Sequence, residues 1–144
     1  MSFGIDVNIL LYASDQSSHL HPKATTFLRQ CAEGREVFCL AWLTLMSYLR
    51  MATHPSIFNH PLSHHEALVN LDTLLALPHC RVIGEEENFW TTYQNITAQV
   101  PTRGNLVPDV HLAAVLSDHG VTTLYTHDKD FRKFEFLKVH DPLI

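Results

Sequence analysis

Apolar residues follow two different spacings along the chain, and the two spacings alternate. Short continuous apolar runs are typical of strands buried on both faces, whereas apolar residues three or four positions apart mark one face of a helix. The runs predict strands at residues 3–6, 37–40, 81–83, 121–126 and 137–139. The helical spacing predicts helices at residues 7–13, 21–33, 42–51, 63–77, 89–100 and 108–119. This alternation predicts a three-layer α/β/α domain with a central, mostly parallel sheet.

Composition and length narrow the class of protein. The 144 residues, 46% hydrophobic and 17% charged, fit one compact domain over residues 1–144. No apolar run approaches the roughly 18 residues of a membrane span, and the amino terminus lacks a signal-peptide pattern, so a cytoplasmic protein is expected. The three cysteines are widely spaced, which favours reduced thiols over a disulfide framework. A net charge of −5 does not by itself indicate a nucleic-acid-binding protein.

Four carboxylates are predicted to lie at one edge of the sheet. Asp6 ends the first strand, Asp109 opens a buried helix, and Asp128 follows strand 121–126, with Asp130 two residues later. Parallel α/β proteins bind ligands at the carboxyl edge of the sheet. Acids crowded there repel one another and are costly to bury unpaired. A Mg²⁺ or Mn²⁺ ion would remove that cost and would suit phosphoryl chemistry.

A simpler interpretation makes each of these acids a helix cap. Aspartate is a common cap, so by itself this is the better explanation of Asp6, and it also suits Asp109 and Asp128. The cap interpretation explains each acid separately, but it does not explain why all of them are predicted at the same edge of the sheet. It also leaves unexplained why Asp6 and Asn8 interrupt an apolar run.

Several motifs resemble the PIN domain, and more narrowly the VapC-type toxins of bacterial toxin–antitoxin systems. The motifs are Asp6-x-Asn8 followed by Leu-Leu-Tyr-Ala, Pro108-Asp109 before an Ala-rich helix, Thr126-His-Asp128-Lys-Asp130-Phe131, and Leu49-Arg50-Met-Ala-Thr53-His54-Pro55 with the later Pro61-Leu62-Ser63. The resemblance covers nearly the whole chain. Each motif is weak alone, and their order and placement make the resemblance fairly specific.

The resemblance implies a ribonuclease that depends on Mg²⁺ or Mn²⁺ and leaves a 3′-hydroxyl product. By position, the acids that match the metal ligands of the family are Asp6, Asp109 and Asp128. Asp130 matches an acid often found beside the last of these, and is counted with them as catalytic. Asn8 and Thr126 match polar residues that orient the ligands.

One position departs from the pattern of the family. The family normally has a glutamate on the third helix, about one turn before the arginine that matches Arg50. Ser47 stands at that place, and residues 37–65 contain no acid. A serine cannot supply the charge, although it could hold a metal-bound water. The departure concerns the strength of catalysis and not the fold.

Basic residues flank the acids along the chain. Lys129, Arg132, Lys133 and Lys138 fall within ten residues after Asp128. Lys129 and Arg132, together with Arg103 and Arg50, are the candidate contacts to RNA phosphates. A solvated face explains Lys133 and Lys138 as well. Arg50 could instead pair with an acid of the site.

The resemblance also implies partners, namely a second copy of the chain and an antitoxin of VapB type. Apolar residues of the helix 42–51 and the loop 55–62 are candidate contact surfaces. Packing in the core is at least as good an interpretation for Trp42 and Leu45.

Three functional hypotheses follow. The first is a PIN-domain endoribonuclease, and the second is a PIN-like protein that binds RNA or antitoxin without cutting because the glutamate is absent. The third, a structure-specific DNA nuclease of the flap type, is disfavoured because the chain lacks room for an additional helical arch.

Overall fold

The computed structural model describes residues 2–144 and contains one five-stranded sheet. The strands are β1 Ser2–Ile5, β2 Val37–Ala41, β3 Cys80–Ile83, β4 Thr123–Tyr125 and β5 Lys138–His140. The helices are α1 Val7–Ser14, α2 His21–Glu33, α3 Trp42–Ala52, α4 His64–Leu75, α5 Phe89–Gln99 and α6 Leu106–Asp118, with a short 3₁₀ helix at Lys129–Lys133. The strand order is β3-β2-β1-β4-β5, and every pairing is parallel. The predicted α/β class and parallel sheet are therefore confirmed.

Two apolar cores lie on opposite faces of the sheet. One core joins residues of β1 and β2, such as Ile5 and Leu40, with apolar side chains of α1 to α4. The other joins Cys39 and Leu124 with α5, α6 and the segment that follows β4. Successive strand residues contribute to different cores because their side chains point to opposite faces. This produces the three layers.

A glycine of β1 lies against a side chain of α6, the helix that carries Asp109. A Cβ built on Gly4 would lie 2.8 Å from Cδ2 of Leu116, so a larger residue would require this side chain to shift. The helix begins at Leu106, two residues earlier than predicted, which places Pro108 and Asp109 within its first turn. Proline is tolerated there because the first amide groups of a helix have no partner within it. Asp109 therefore lies at the amino-terminal end of α6.

Other local predictions from the sequence also hold. Ser63 and Glu66 form a capping box, in which each side chain accepts a hydrogen bond from the backbone of the other residue. The final strand lies at the edge of the sheet, beside β4. The three cysteines are free thiols, and burial raises the pKa of Cys31 to about 12. None of the helices in residues 2–144 has the length and apolar character required to cross a membrane.

The third helix shows one difference from the core-packing interpretation. Leu45 is buried, but Trp42 and Met46 are each 53% exposed. The two exposed side chains lie four residues apart and therefore share one face of α3. Helical periodicity finds this face, but it cannot tell whether another layer of the same chain covers it.

Candidate active site

The order of the strands brings two polar segments together at the carboxyl edge of the sheet. β1 and β4 are neighbours, and Ile5 is paired with Tyr125. The next residues, Asp6 and Thr126, therefore leave the sheet side by side, and the amide of Asp6 donates a hydrogen bond to the carbonyl of Tyr125 at 3.0 Å. Their separation of 120 positions in the sequence is bridged entirely by the parallel pairing.

Asp6 is buried, with only 8% of its surface exposed, and its carboxylate is held from several directions. Oδ1 accepts a hydrogen bond from the amide of Val7 at 2.7 Å, which makes Asp6 the cap of α1. Oδ2 accepts hydrogen bonds from the hydroxyl of Thr126 at 2.8 Å and the side-chain amide of Asn8 at 3.3 Å. Asp6 therefore caps α1 and also lies close to another acid, Asp128.

Thr126 connects Asp6 to the next acid. Its Oγ1 donates to Asp6 and accepts a hydrogen bond from the amide of Asp128 at 3.0 Å. Asn8 donates to the same Thr126 oxygen at 3.2 Å and accepts from the amide of His127 at 3.2 Å. These bonds fix the orientation of Asp6 relative to the segment after β4.

The remaining three acids form a compact group. Asp109, Asp128 and Asp130 each offer one carboxylate oxygen, and the three oxygens lie within 4.8 Å of one another. Asp109 and Asp128 are half-buried, whereas Asp130 is exposed. Asp128 also caps the 3₁₀ helix, because its Oδ1 accepts a hydrogen bond from the amide of Asp130 at 2.9 Å. Asp6 lies outside this group of three oxygens.

The electrostatics of the site show uncompensated negative charge. Burial, together with the charges of Asp128, Asp6 and Asp130, raises the pKa of Asp109 to about 7, and Lys133 lowers it in part. Burial also raises the pKa of Asp6, against hydrogen bonds from Thr126 and Val7 that lower it, and the charge of Asp128 adds to the increase. Perturbed carboxylates of this kind are common at functional sites. The largest shared cause is burial, and the charge of Asp128 raises the pKa of both carboxyls further.

The chemistry of this donor set fits a hard divalent cation. All the available groups are carboxylate oxygens, which Mg²⁺ and Mn²⁺ prefer, and the half-open arrangement leaves room for retained water. A bound cation would also relieve the repulsion that raises the pKa of Asp109. Asp109, Asp128 and Asp130 could therefore hold an ion, with Asp6 close enough to interact electrostatically with Asp109 and Asp128.

The structure places Ser47 and Arg50 on α3. Ser47 is half-buried, and its hydroxyl forms no hydrogen bond with any group in residues 2–144. Arg50 is exposed and has no carboxylate within salt-bridge distance among the described residues, so it does not pair with an acid of the site. The side chain of Arg50 is free to meet a partner from solution.

The other basic residues singled out from the sequence are exposed. Arg103 lies in the turn before α6, and Lys129 and Arg132 lie on the 3₁₀ helix that begins after Asp128. Lys133, which a solvated face explained equally well, lies close enough to lower the pKa of Asp109. Its influence could not be read from the sequence because Asp109 lies 24 positions earlier and meets Lys133 only through tertiary packing.

Sequence reasoning also missed a histidine at the site. His127 stands between Thr126 and Asp128, and its Nδ1 lies 2.7 Å from Oδ2 of Asp141, which follows β5. The position of His127 within the Thr126–Asp130 motif was a usable signal. The pairing with Asp141 was not, because it depends on β5 lying beside β4 in register.

Comparisons with known proteins agree with this architecture. No family model matches the chain. The chain is 39% identical over 142 residues to Ribonuclease VapC48 of Mycobacterium tuberculosis, covering 99% of this chain and 98% of that protein. It is 30% identical over 139 residues to VapC ribonuclease Mb2897 of Mycobacterium bovis, covering 96% and 94% of the two chains.

Solved structures share the fold at lower identity. VapBC2 from Rickettsia felis, bound to a fragment of promoter DNA, superposes with a TM-score of 0.71 at 15% identity over 98% of both chains. VapC20 of Mycobacterium tuberculosis, a toxin that cleaves the sarcin–ricin loop, gives a TM-score of 0.67 at 16% identity over 90% of this chain and 92% of that one. FitAcB of Neisseria gonorrhoeae gives a TM-score of 0.68 at 18% identity, over 99% of this chain and 98% of that one.

Proposed function

Because this chain belongs to the VapC ribonuclease family, we propose that it is a single PIN domain over residues 1–144 that cuts RNA as the toxin of a VapBC-type pair. The observation that carries the proposal is the group of carboxylate oxygens from Asp109, Asp128 and Asp130 within 4.8 Å of one another, next to the buried Asp6. The cofactor is Mg²⁺ or Mn²⁺. A toxin of this kind acts on RNA in the cytoplasm.

The four acids have different roles in this proposal. Asp109, Asp128 and Asp130 would hold the ion, because their oxygens form the compact group, and Asp6, which the sequence named as a ligand in place of Asp130, would add negative charge beside it. When bound, the ion would supply activation of a water molecule and stabilisation of charge on the phosphate. Asn8 and Thr126 keep Oδ2 of Asp6 in a fixed direction, so this carboxylate is oriented before RNA arrives.

The exposed cations supply the sites for RNA phosphates. Arg103, Lys129 and Arg132 flank the acids along the chain, and Arg50 extends from α3 without an acidic partner among residues 2–144. Phosphate contacts position a nucleic acid but do not select its sequence. These four residues would therefore hold the strand on either side of the cut bond.

Two protein partners belong to the proposal, a second copy of the chain and a VapB-type antitoxin. Trp42 and Met46 form an exposed apolar face on α3, which suits a contact with either one. Among solved structures with this fold, one is a toxin–antitoxin complex from Klebsiella pneumoniae and another is the VapBC2 pair.

Cleavage assays with the purified chain test this proposal. Bulk tRNA and a pool of randomised RNA are incubated with the wild type in Mn²⁺, in EDTA, and in EDTA followed by excess Mn²⁺. We expect cleavage with Mn²⁺ only, and a loss of about a thousandfold in Asp6→Ala because a negative charge beside the ion-binding group is removed. Asp15→Ala, at the opposite end of α1, is the matched control and should cut normally. Cleavage that survives both EDTA and Asp6→Ala would contradict the proposal.

A second candidate function is an RNA- or antitoxin-binding protein that does not cut. The observation that favours it is Ser47, which stands where the family has a glutamate and whose hydroxyl has no hydrogen-bond partner among the described residues. Efficient cleavage by the wild type would exclude this candidate. Binding of RNA without any cleavage in Mn²⁺ would favour it.

A further inference from the structure

His127 is fixed at the rim of the acidic site by its backbone. It lies between Thr126, which binds Asp6, and Asp128, a member of the acidic group. Its amide donates a hydrogen bond to Oδ1 of Asn8 at 3.2 Å. The backbone of His127 is thus held by the same network that orients the acids.

The imidazole ring is held by two further contacts. Oδ2 of Asp141 lies 2.7 Å from Nδ1, and Oδ1 of the same carboxylate accepts the amide of Leu143 at 2.9 Å. The Asp141 side chain is only 8% exposed, so it is a well-fixed partner. The ring of Tyr12 contacts the imidazole edge to face, with ring centroids 5.8 Å apart. A carboxylate on one nitrogen sets the direction in which the other nitrogen points.

The second ring nitrogen of His127 is left without a partner. No group in residues 2–144 forms a hydrogen bond with its Nε2, and 33% of the side chain is exposed. The histidines at positions 79, 111 and 119 differ, because their Nε2 atoms bind protein groups. An oriented imidazole nitrogen that is open to solvent beside a phosphoryl-chemistry site is well placed to bind an incoming strand.

Resting on the proposed function, we infer that His127 contacts the sugar–phosphate backbone of bound RNA through Nε2, at a nucleotide next to the cut bond. Asp141 acts through it as a positioning residue. The backbone of RNA offers a partner for either form of this nitrogen. A 2′-hydroxyl can donate a hydrogen bond to a bare Nε2, and a phosphate oxygen can accept one from Nε2–H. The purely structural alternative is that the His127–Asp141 pair only ties the carboxyl-terminal segment to β4.

Two substitutions separate these roles. In His127→Asn the side-chain amide nitrogen takes the place of Nδ1 and can still donate to Asp141, but nothing reaches the position of Nε2. In His127→Gln a polar group reaches the position of Nε2. His60→Asn, on an exposed loop, is the matched control. The affinity of each variant for a fluorescently labelled random RNA 12-mer is measured by anisotropy with Ca²⁺ in place of Mn²⁺. Mn²⁺ affinity and melting temperature are measured in parallel without RNA.

We expect His127→Asn to weaken RNA binding about tenfold, the scale of one hydrogen bond to a charged group, with Mn²⁺ affinity and melting temperature unchanged. His127→Gln should recover most of the affinity. Wild-type RNA affinity in His127→Asn would overturn the inference, as would a loss accompanied by weaker Mn²⁺ binding or a lower melting temperature. A wild type that binds RNA but never cuts it would contradict the proposed function alone, because the binding comparison would still decide the role of His127.

Discussion

Asp6 and Asp109 lie at the same edge of the sheet, yet their carboxylates differ in burial and in hydrogen bonding. Asp6 is buried and accepts hydrogen bonds from Val7, Asn8 and Thr126. Asp109 is half-buried, and its carboxylate accepts no hydrogen bond from the groups of residues 2–144. Burial raises both pKa values, and at Asp6 hydrogen bonds oppose part of this increase, whereas at Asp109 three neighbouring acids add to it and no hydrogen bond opposes it.

These contacts indicate different roles for the two acids. Asp6 is held by hydrogen bonds within the fold, whereas Asp109 requires a cation to balance its charge. Hydrogen bonds to the charged form stabilise Asp6 within the folded chain. For Asp109 the main compensation comes from Lys133, which is exposed. We therefore expect Asp6 to behave as part of the fold and Asp109 to respond to pH and metal.

The largest expected effect concerns cleavage by Asp109→Asn. Removing this charge should reduce the rate of RNA cleavage about a thousandfold, because the ion would lose a ligand from the group of three. The measurement is the initial rate on the RNA identified for the wild type, at saturating Mn²⁺. Asp118→Asn, at the other end of α6, serves as the comparison. A rate within threefold of the wild type would remove Asp109 from the active site.

The affinity for Mn²⁺ should depend strongly on pH. Because the pKa of Asp109 is about 7, this carboxyl group is protonated below that pH and must lose its proton before it can bind the ion. Affinity should rise about tenfold per pH unit between pH 5 and pH 7, and then level off. Calorimetric titration of the wild type and Asp109→Asn checks this. A pH-independent affinity in the wild type, or the same slope in both proteins, would show that Asp109 does not control binding.

Restoring a carboxylate on α3 should strengthen metal binding. Ser47→Glu is expected to raise Mn²⁺ affinity about fivefold, because an added negative ligand increases the attraction for the ion. Ser47→Gln provides a neutral control of the same size. An increase in cleavage with the glutamate would support the view that the wild type is weakened. If the wild type already cuts efficiently and the glutamate adds nothing, that view fails.

The smallest effect, and the one that most directly contrasts the two acids, is on the stability of the metal-free protein. Asp109 has a folded-state pKa above its value of 3.8 in an unfolded chain, so its contribution to stability is full below pH 4 and disappears as the pH rises through 7. At pH 8, Asp109→Asn should therefore raise the melting temperature by about 2 °C.

The same substitution at Asp6 should have the opposite sign. Asp6→Asn also removes a buried charge, but it leaves an amide nitrogen facing the donors Thr126 and Asn8. The loss of these hydrogen bonds should lower the melting temperature by about 2 °C at the same pH. Thermal unfolding in EDTA compares both variants with the wild type. Equal shifts in one direction would mean that the two acids do not differ as their contacts suggest.

Much of this molecule is determined by local sequence. The spacing of apolar residues located the strands and helices to within a few positions, because it reports which face of each element is buried. The Ser63–Glu66 capping box was visible because its partners lie three residues apart. The placement of Asp6, Asp109 and Asp128 at strand and helix ends was also a local property, which is why one edge of the sheet could be named in advance.

Only the tertiary structure decided which of these groups meet. The bond from Thr126 to Asp6 spans 120 positions and exists because β4 pairs with β1. The contact of His127 with Asp141 requires β5 to lie outside β4, and the exposure of Trp42 depends on what does not cover α3. Hydrophobic periodicity does not report the order of the strands, and so it cannot show which side chains that order brings together. The sequence determined the elements and their acids, whereas the order of the sheet made them a site.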